Sequence, residues 1–224
     1  MSTNRPEILL PTAYLPPVEY MAWLAVSAKA EVEVHETYPK QTWRNRCSIP
    51  SANGPLALSI PVEKPLGNHT PTRLISISSH LSWQKQHWRS IVSAYSKSAF
   101  FLFYQDLLEP FFMDQPPALL VNWNQNLLAA ITEEIGLKLK PVRTITFEKA
   151  PTEKIDLRQA ISPKKLTSPE KGNDLFPPYF QAFSEKYGFL QNQSVIDVLF
   201  NLGPDTLPYL ENCGRKLMLQ FRPG

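Results

Sequence analysis

Two hydrophobic periods run along this chain, and the first forty residues contain both. Ile8, Leu9 and Leu10 form a short unbroken apolar run, the mark of a buried strand. After a proline-bounded loop at residues 11–17, Tyr20, Trp23, Leu24 and Val26 recur at helical spacing. Pro17 suits the opening of a helix running to about residue 30, because its fixed φ is already helical. Residues 31–34 then read as a second strand. Strand, helix, strand in so short a span is the pattern of a crossover joining two parallel strands.

Farther on, the pattern becomes strand-rich and then helical. Residues 44–50 and 55–62 read as the arms of a hairpin around the Ser51-Ala52-Asn53-Gly54 turn, and residues 72–78 as a further strand. Ser82 is an N-cap candidate for a helix whose stripe is Trp88, Ile91 or Val92, and Tyr95. An aromatic-rich helix from Phe100 should stop near Pro110, and another should fill residues 118–137 before Gly136 ends it. Residues 142–147 read as a late strand. Residues 178–188 read as an amphipathic helix, Ser194 caps a helix through Leu199, and a short turn follows from Pro204 toward Leu210. The expected fold is therefore α/β: a mixed, partly parallel sheet opened by a βαβ unit, followed by a mostly helical C-terminal half. A single domain over residues 1–224 is expected, with a polar loop or lid near residues 149–174.

Composition narrows the function classes. The 23 basic and 20 acidic residues nearly balance, unlike the one-sided basicity of a nucleic-acid binder. Two cysteines, Cys47 and Cys213, are too few for a disulfide framework, so a reduced, cytoplasmic protein is expected. No stretch approaches the roughly 20 apolar residues that span a bilayer, so no membrane insertion is expected. With 22 prolines against 8 glycines, many elements should end abruptly.

The segment from His35 to Cys47 carries the densest chemistry and no apolar period. In an open α/β sheet ligands bind beyond the carboxyl ends of parallel strands, which here places the Thr12–Tyr14 loop opposite the loop that begins at His35 and Glu36. If residues 43–48 are extended, Arg44 and Arg46 share a face and suit a phosphate or carboxylate. Lys40 is a further cation for phosphate, and Asn45 and Tyr14 are neutral donors. His87 or His35 can act as a general base, with Glu36 orienting either imidazole. Cys47 beside Arg46 reads either as an acyl-carrying nucleophile or as a structural thiol. His80 and His87 stand seven apart, poor spacing for a metal, so no metal is expected. Neither a phosphate-loop nor a dinucleotide motif is present, so no cofactor is expected.

Pro11-Thr12-Ala13-Tyr14-Leu15-Pro16, then Tyr38-x-Lys40-x-x-Trp43-x-Asn45-Arg46, then Trp83-x-x-x-His87-Trp88 with Tyr95 and Phe100-Phe101, and last Leu199-Phe200-Asn201-Leu202-Gly203 resemble the WbqC-like family of bacterial proteins. The resemblance covers most of the chain and is weakest at residues 149–174. It implies a transferase of surface-polysaccharide (O-antigen type) biosynthesis that places an amino-acid-derived acyl group on an amino sugar of a sugar nucleotide. The alternative is a non-catalytic anion or sugar-nucleotide binding scaffold. For this chemistry the expected catalytic set is His87, His35 and Glu36 and the expected substrate set is Tyr14, Tyr38, Lys40, Arg44, Asn45 and Arg46, of which Tyr38, Lys40, Asn45 and Arg46 fit the family pattern. The partner is a phosphorylated or sugar-nucleotide substrate. Aminoacyl-tRNA as acyl donor would need a basic patch at Lys149 and Lys154 or Lys164 and Lys165. The acidic residues that usually follow the family's second strand are here Val34-His35-Glu36, with one carboxylate.

Overall fold

The apolar run at the N-terminus forms β1 (Glu7–Pro11), joined through α1 (Val18–Val26) to β2 (Lys29–Glu33). The two strands pair in parallel, from Glu7 opposite Lys29 to Pro11 opposite Glu33. Ile8, Leu9 and Leu10 are buried, as a continuous apolar strand covered on both faces must be. A computed structural model describes residues 5–78, 82–163 and 175–221.

The hairpin follows as β3 (Arg46–Ser51) and β4 (Gly54–Ser59), antiparallel with Ser51 opposite Gly54. A short pair, β5 (Val62–Glu63) and β6 (Ser76–Ile77), replaces the longer strand expected at residues 72–78, because residues 72–74 take a 3₁₀ turn. Three helices come next: α2 (Trp83–Tyr95), α3 (Phe101–Met113) and α4 (Leu120–Glu134). α3 runs past Pro110, where the expected stop lay. A proline forfeits one backbone hydrogen bond, and the Asp114 amide still reaches the Pro110 carbonyl at 2.9 Å.

Two strands of two residues each, β7 (Val142–Arg143) and β8 (Ile155–Asp156), then complete a four-stranded parallel sheet in the order β7-β2-β1-β8. The late strand expected over residues 142–147 is thus much shorter. β8 lies inside the polar segment where no strand was expected. Residues 164–174 of that segment, with Lys164 and Lys165, lie outside the described residues, as does His80.

The C-terminal half is helical: α5 (Ser184–Tyr187), α6 (Val195–Leu202) and α7 (Thr206–Gln220). The helix expected at residues 178–188 keeps only its last turn. Its first part is drawn inward, where the Tyr179 hydroxyl and the Gln181 amide both donate to the buried Asp197 carboxylate. Burial raises the Asp197 carboxyl to about 6 despite these donors. α7 is far longer than the turn expected there and packs along α1. Gly214 allows the approach, since a Cβ at that position would run into the Ala22 carbonyl and the Val26 side chain.

Candidate functional site at the carboxyl edge of the sheet

All four strands of the main sheet run the same way, so the loops leaving β1, β2, β7 and β8 meet along one edge. Side chains of β2 alternate across the sheet, and the two sides differ in character. Glu31 and Glu33 meet cations from the β8 region, whereas Val32 and Val34 line an apolar cleft under α4.

On the charged side every described group finds a partner. Glu33 is fully buried. Its Oε1 accepts from the His35 backbone N–H at 2.6 Å and from the Thr144 hydroxyl at 3.1 Å, and its Oε2 lies 3.5 Å from Arg158 Nη1. Arg158 forks onto Asp156, Nε to Oδ1 at 2.9 Å and Nη2 to Oδ2 at 2.6 Å. Partial burial works against the Asp156 charge, but the fork holds its carboxyl below the usual range. Lys154 pairs with Glu31 and with Glu148. That cation, one member of the first of the two alternative patches an aminoacyl-tRNA donor would need, is therefore paired.

Glu36 and Arg44 form a second buried pair. Arg44 Nε and Nη2 donate to Glu36 Oε1 at 2.9 and 2.5 Å. Burial raises the Glu36 carboxyl even against the pull of Arg44. Trp43 and Arg44 form a turn, and the strand begins only at Arg46. The expectation that Arg44 and Arg46 share a face fails for this reason: Arg44 turns inward to Glu36, while Arg46 Nε donates to the Ser59 hydroxyl at 3.1 Å on the hairpin surface. Glu36 therefore orients a guanidinium, and no imidazole among the described residues is hydrogen-bonded to it.

His35 is half-buried, and its Nε2 donates to the Thr144 carbonyl at 3.0 Å. A carbonyl only accepts, so Nε2 carries the proton and Nδ1 is left as an acceptor in the neutral ring. His87 and Tyr14 do meet across 73 positions of sequence. The buried Tyr14 hydroxyl, which burial keeps protonated, donates to His87 Nδ1 at 2.9 Å. The two rings stack, and Trp83 lies edge-on to the imidazole. Burial lowers His87 to about 4, the Ser59 backbone acting weakly against it. His87 reaches the His35–Cys47 loop through Tyr14, whose N–H donates to the Trp43 carbonyl at 2.9 Å.

The other expected residues are dispersed. Asn45 is committed to the backbone of Ile60, its Nδ2 donating to that carbonyl at 2.8 Å. Tyr38 is buried beneath the Lys64 ammonium, with its hydroxyl pushed up to about 12 by burial. Lys40 is exposed. Cys47 is fully buried and its thiol is pushed up by desolvation, so it supplies no thiolate and the structural reading replaces the nucleophile.

The cleft on the other side of β2 encloses about 180 Å³. Its walls are Ala13, Val32, Val34, Val121, Leu128 and Ala129, with Thr12, Tyr20 and Asn124 among them and exposed Lys140, Arg143 and Glu133 also lining it. None of the nine site residues expected from sequence lines it. Asn124 joins it to the charged side: its Nδ2 donates to the Arg44 carbonyl at 2.7 Å and to the Thr12 hydroxyl at 3.1 Å. Arg143 holds the Asn122 Oδ1 at 2.8 Å, and among the described residues neither it nor Lys140 forms an ion pair. Sequence reading passed over Asn124 and Tyr20. The available signal was a polar residue set between the apolar Trp123 and Leu127 of one helical stripe.

Among the described residues no cluster of histidine, cysteine and carboxylate side chains can hold a metal, and no helix is long and apolar enough to cross a membrane.

Comparison with known proteins agrees with the resemblance carried by the motifs. Uncharacterized protein Rv1507c of Mycobacterium tuberculosis is 26% identical over 196 residues, covering 79% of this chain and 84% of that protein. No solved structure matches. The sequence pattern of the WbqC-like protein family matches residues 12–209, most of the chain, and the chain therefore belongs to the WbqC-like family.

Proposed function

We propose that this chain is a transferase of bacterial surface-polysaccharide biosynthesis, moving an amino-acid-derived acyl group onto an amino sugar carried by a nucleotide. The observation that carries the reading is the cleft at the carboxyl ends of β1 and β2, with Lys140 and Arg143 lining it and forming no ion pair among the described residues. Such cations suit the phosphates of a sugar nucleotide. Family membership supports the substrate class.

In the reaction the amine nitrogen attacks the acyl carbonyl carbon. A C–N bond forms, the bond from that carbon to the leaving heteroatom breaks, and the proton lost by the amine ends on the leaving group. His35 is assigned the relay, since its Nε2–H is committed to Thr144 and its Nδ1 lone pair is available. His35 does not line the cleft itself, and in this proposal it meets the substrate at the carboxyl edge, one residue beyond Val34 of the cleft wall. His87 is assigned a supporting role, fixing Tyr14 and with it the loop that carries Thr12. Glu36 fixes Arg44, whose carbonyl holds Asn124.

The test is the mass of the small molecule that co-purifies with the protein, followed by transfer assays against a panel of sugar nucleotides and acyl donors. Turnover lost in His35→Ala and in Lys140→Ala/Arg143→Ala, with both proteins folded, is the expected result. Unchanged turnover in both sinks the assignment. A second reading, a non-catalytic binder, is favoured by one observation: Glu36 and His87 are both tied up in buried partnerships. Binding of a sugar nucleotide without transfer from any donor pool selects it.

A further inference from the structure

Large apolar side chains exposed singly are ordinary on a protein surface, but a run of them in one short stretch is not. Val142, Ile145 and Phe147 are 53%, 89% and 51% exposed, and all three lie in the stretch that runs through β7 and beyond it. That stretch is held firmly. β7 pairs with β2, the Thr144 N–H donates to the Val32 carbonyl at 3.0 Å, and Arg158 donates to the Glu148 and Lys149 carbonyls at 2.9 and 3.2 Å. The Arg158 guanidinium also lies 5.4 Å from the centre of the Phe147 ring, and the ring is still half exposed. A fixed backbone therefore presents these side chains to solvent.

Cations are interleaved with them. Lys138, Lys140, Arg143 and Lys149 are exposed, and among the described residues none of them forms an ion pair. The one carboxylate between residues 138 and 149, Glu148, is paired with Lys154. A second exposed apolar pair, Leu102 and Phe103 on α3, has the opposite setting: Asp106 stands one turn away, and that helix holds no lysine or arginine.

We propose that residues 138–149 form a peripheral docking strip for an anionic lipid surface. Ile145 and Phe147 enter the boundary between headgroups and acyl chains, and Lys138 and Lys149 meet lipid phosphates. Binding of this kind adds buried apolar area to attraction by anionic headgroups, and the strip supplies both. The protein lies on the bilayer and does not cross it. A second copy of the chain fits worse. Two such strips face to face would set like charges together, and β7, with two residues, is too short to add a strand. The phosphates of a nucleic acid would answer the cations and leave Ile145 in water. Lys140 and Arg143 also line the cleft, so docking turns its mouth toward the lipid surface.

The inference does not depend on acyl transfer, and its test uses no substrate. The whole chain is sedimented with vesicles of phosphatidylcholine alone and of phosphatidylcholine mixed with phosphatidylglycerol. We expect binding to the mixed vesicles only, weakened by added salt. Lys138→Ala/Lys149→Ala should bind about thirtyfold more weakly, roughly fivefold for each cation. Ile145→Ser/Phe147→Ser should bind at least about tenfold more weakly, and Leu102→Ser/Phe103→Ser as the wild type does. Every substituted side chain is exposed, so all three variants should melt near the wild-type temperature. Cys47 and Cys213 are buried, so an environment-sensitive dye can be attached at Ile145→Cys alone, and its emission should shift to the blue with mixed vesicles. Failure to bind mixed vesicles overturns the inference, as do unchanged binding by Ile145→Ser/Phe147→Ser and a dye that reports no change. Concentration-dependent dimerisation that is lost in the same variant assigns the strip to a second copy and overturns it too. Vesicle docking without acyl transfer from any donor defeats the proposed function and leaves this inference standing.

Discussion

The two sides of β2 make opposite use of polar groups. On one side Glu33, Glu36, Arg44, Asp156 and Arg158 are held in ion pairs, and on the other the cleft-lining Lys140 and Arg143 form none among the described residues. Charge density alone therefore misleads. The richest cluster of ionisable side chains reads as fixed scaffolding, and the cleft with the plainest lining is where a ligand has something to gain.

That contrast can be broken most severely at Arg44. Arg44→Ala strands a buried Glu36 carboxylate, and removing one partner of such a pair typically costs about 3–5 kcal/mol. Urea denaturation at neutral pH should show a loss of that size, and Arg44→Met with Glu36→Leu should recover much of it. A loss under about 1 kcal/mol would show that the pair is not the lock described.

His87 offers a pH test of nearly the same size. Its folded value is lowered from 6.5 to about 4, so between those limits the unfolded chain binds a proton that the folded protein refuses. Stability contributed by the neutral ring is whole above pH 6.5 and is lost as pH falls toward 4, by up to ~3 kcal/mol. In chemical denaturation from pH 7 to 4 the stability difference between wild type and His87→Gln should shift against the wild type by this amount, the Asp197 carboxyl, raised to about 6, acting alike in both. A kcat/KM limb near pH 4 would return the general base to His87.

On the open side, Lys140→Ala/Arg143→Ala should weaken sugar-nucleotide binding by roughly 10–100-fold, as the loss of charge-assisted contacts implies, while the melting temperature hardly moves. The smallest effect is expected at Arg46, which bonds Ser59 on the hairpin surface. Arg46→Ala should change stability by less than about 0.5 kcal/mol. If it weakens phosphate binding more than the Lys140/Arg143 pair does, the anion grip belongs to the hairpin.

Much of the frame was legible because local pattern and tertiary context agree there. The Ile8–Leu10 run, the Tyr20 to Val26 stripe and the Ser51–Gly54 turn each specify their element without help. α7 was hidden: Leu210, Cys213 and Leu217 carry a helical spacing, but prolines at its start and Gly214 in its middle argue locally for a break. Only contact with α1 gives that glycine its reason. β8 has two paired residues in a polar stretch, and no local period marks so short a strand. The parallel-strand rule put the Thr12 and His35 loops at one edge of the sheet, where they do lie. It could not distribute residues along that edge, because the inward turn at Trp43–Arg44 defeats an extended reading.

The outer strands of the sheet have a consequence for motion. β7 and β8 each meet their neighbour through two residue pairs, while β1 and β2 share five. Amide protons at both margins should exchange with solvent through local opening long before those of the centre. At the β8 margin the partly exposed bond from Lys154 to Glu31 is open to screening, whereas the one from Arg158 to Glu33 is sheltered. Added salt should therefore loosen the start of that strand and spare its end. The loops that face the cleft would keep their anchor while the far corner of the sheet breathes.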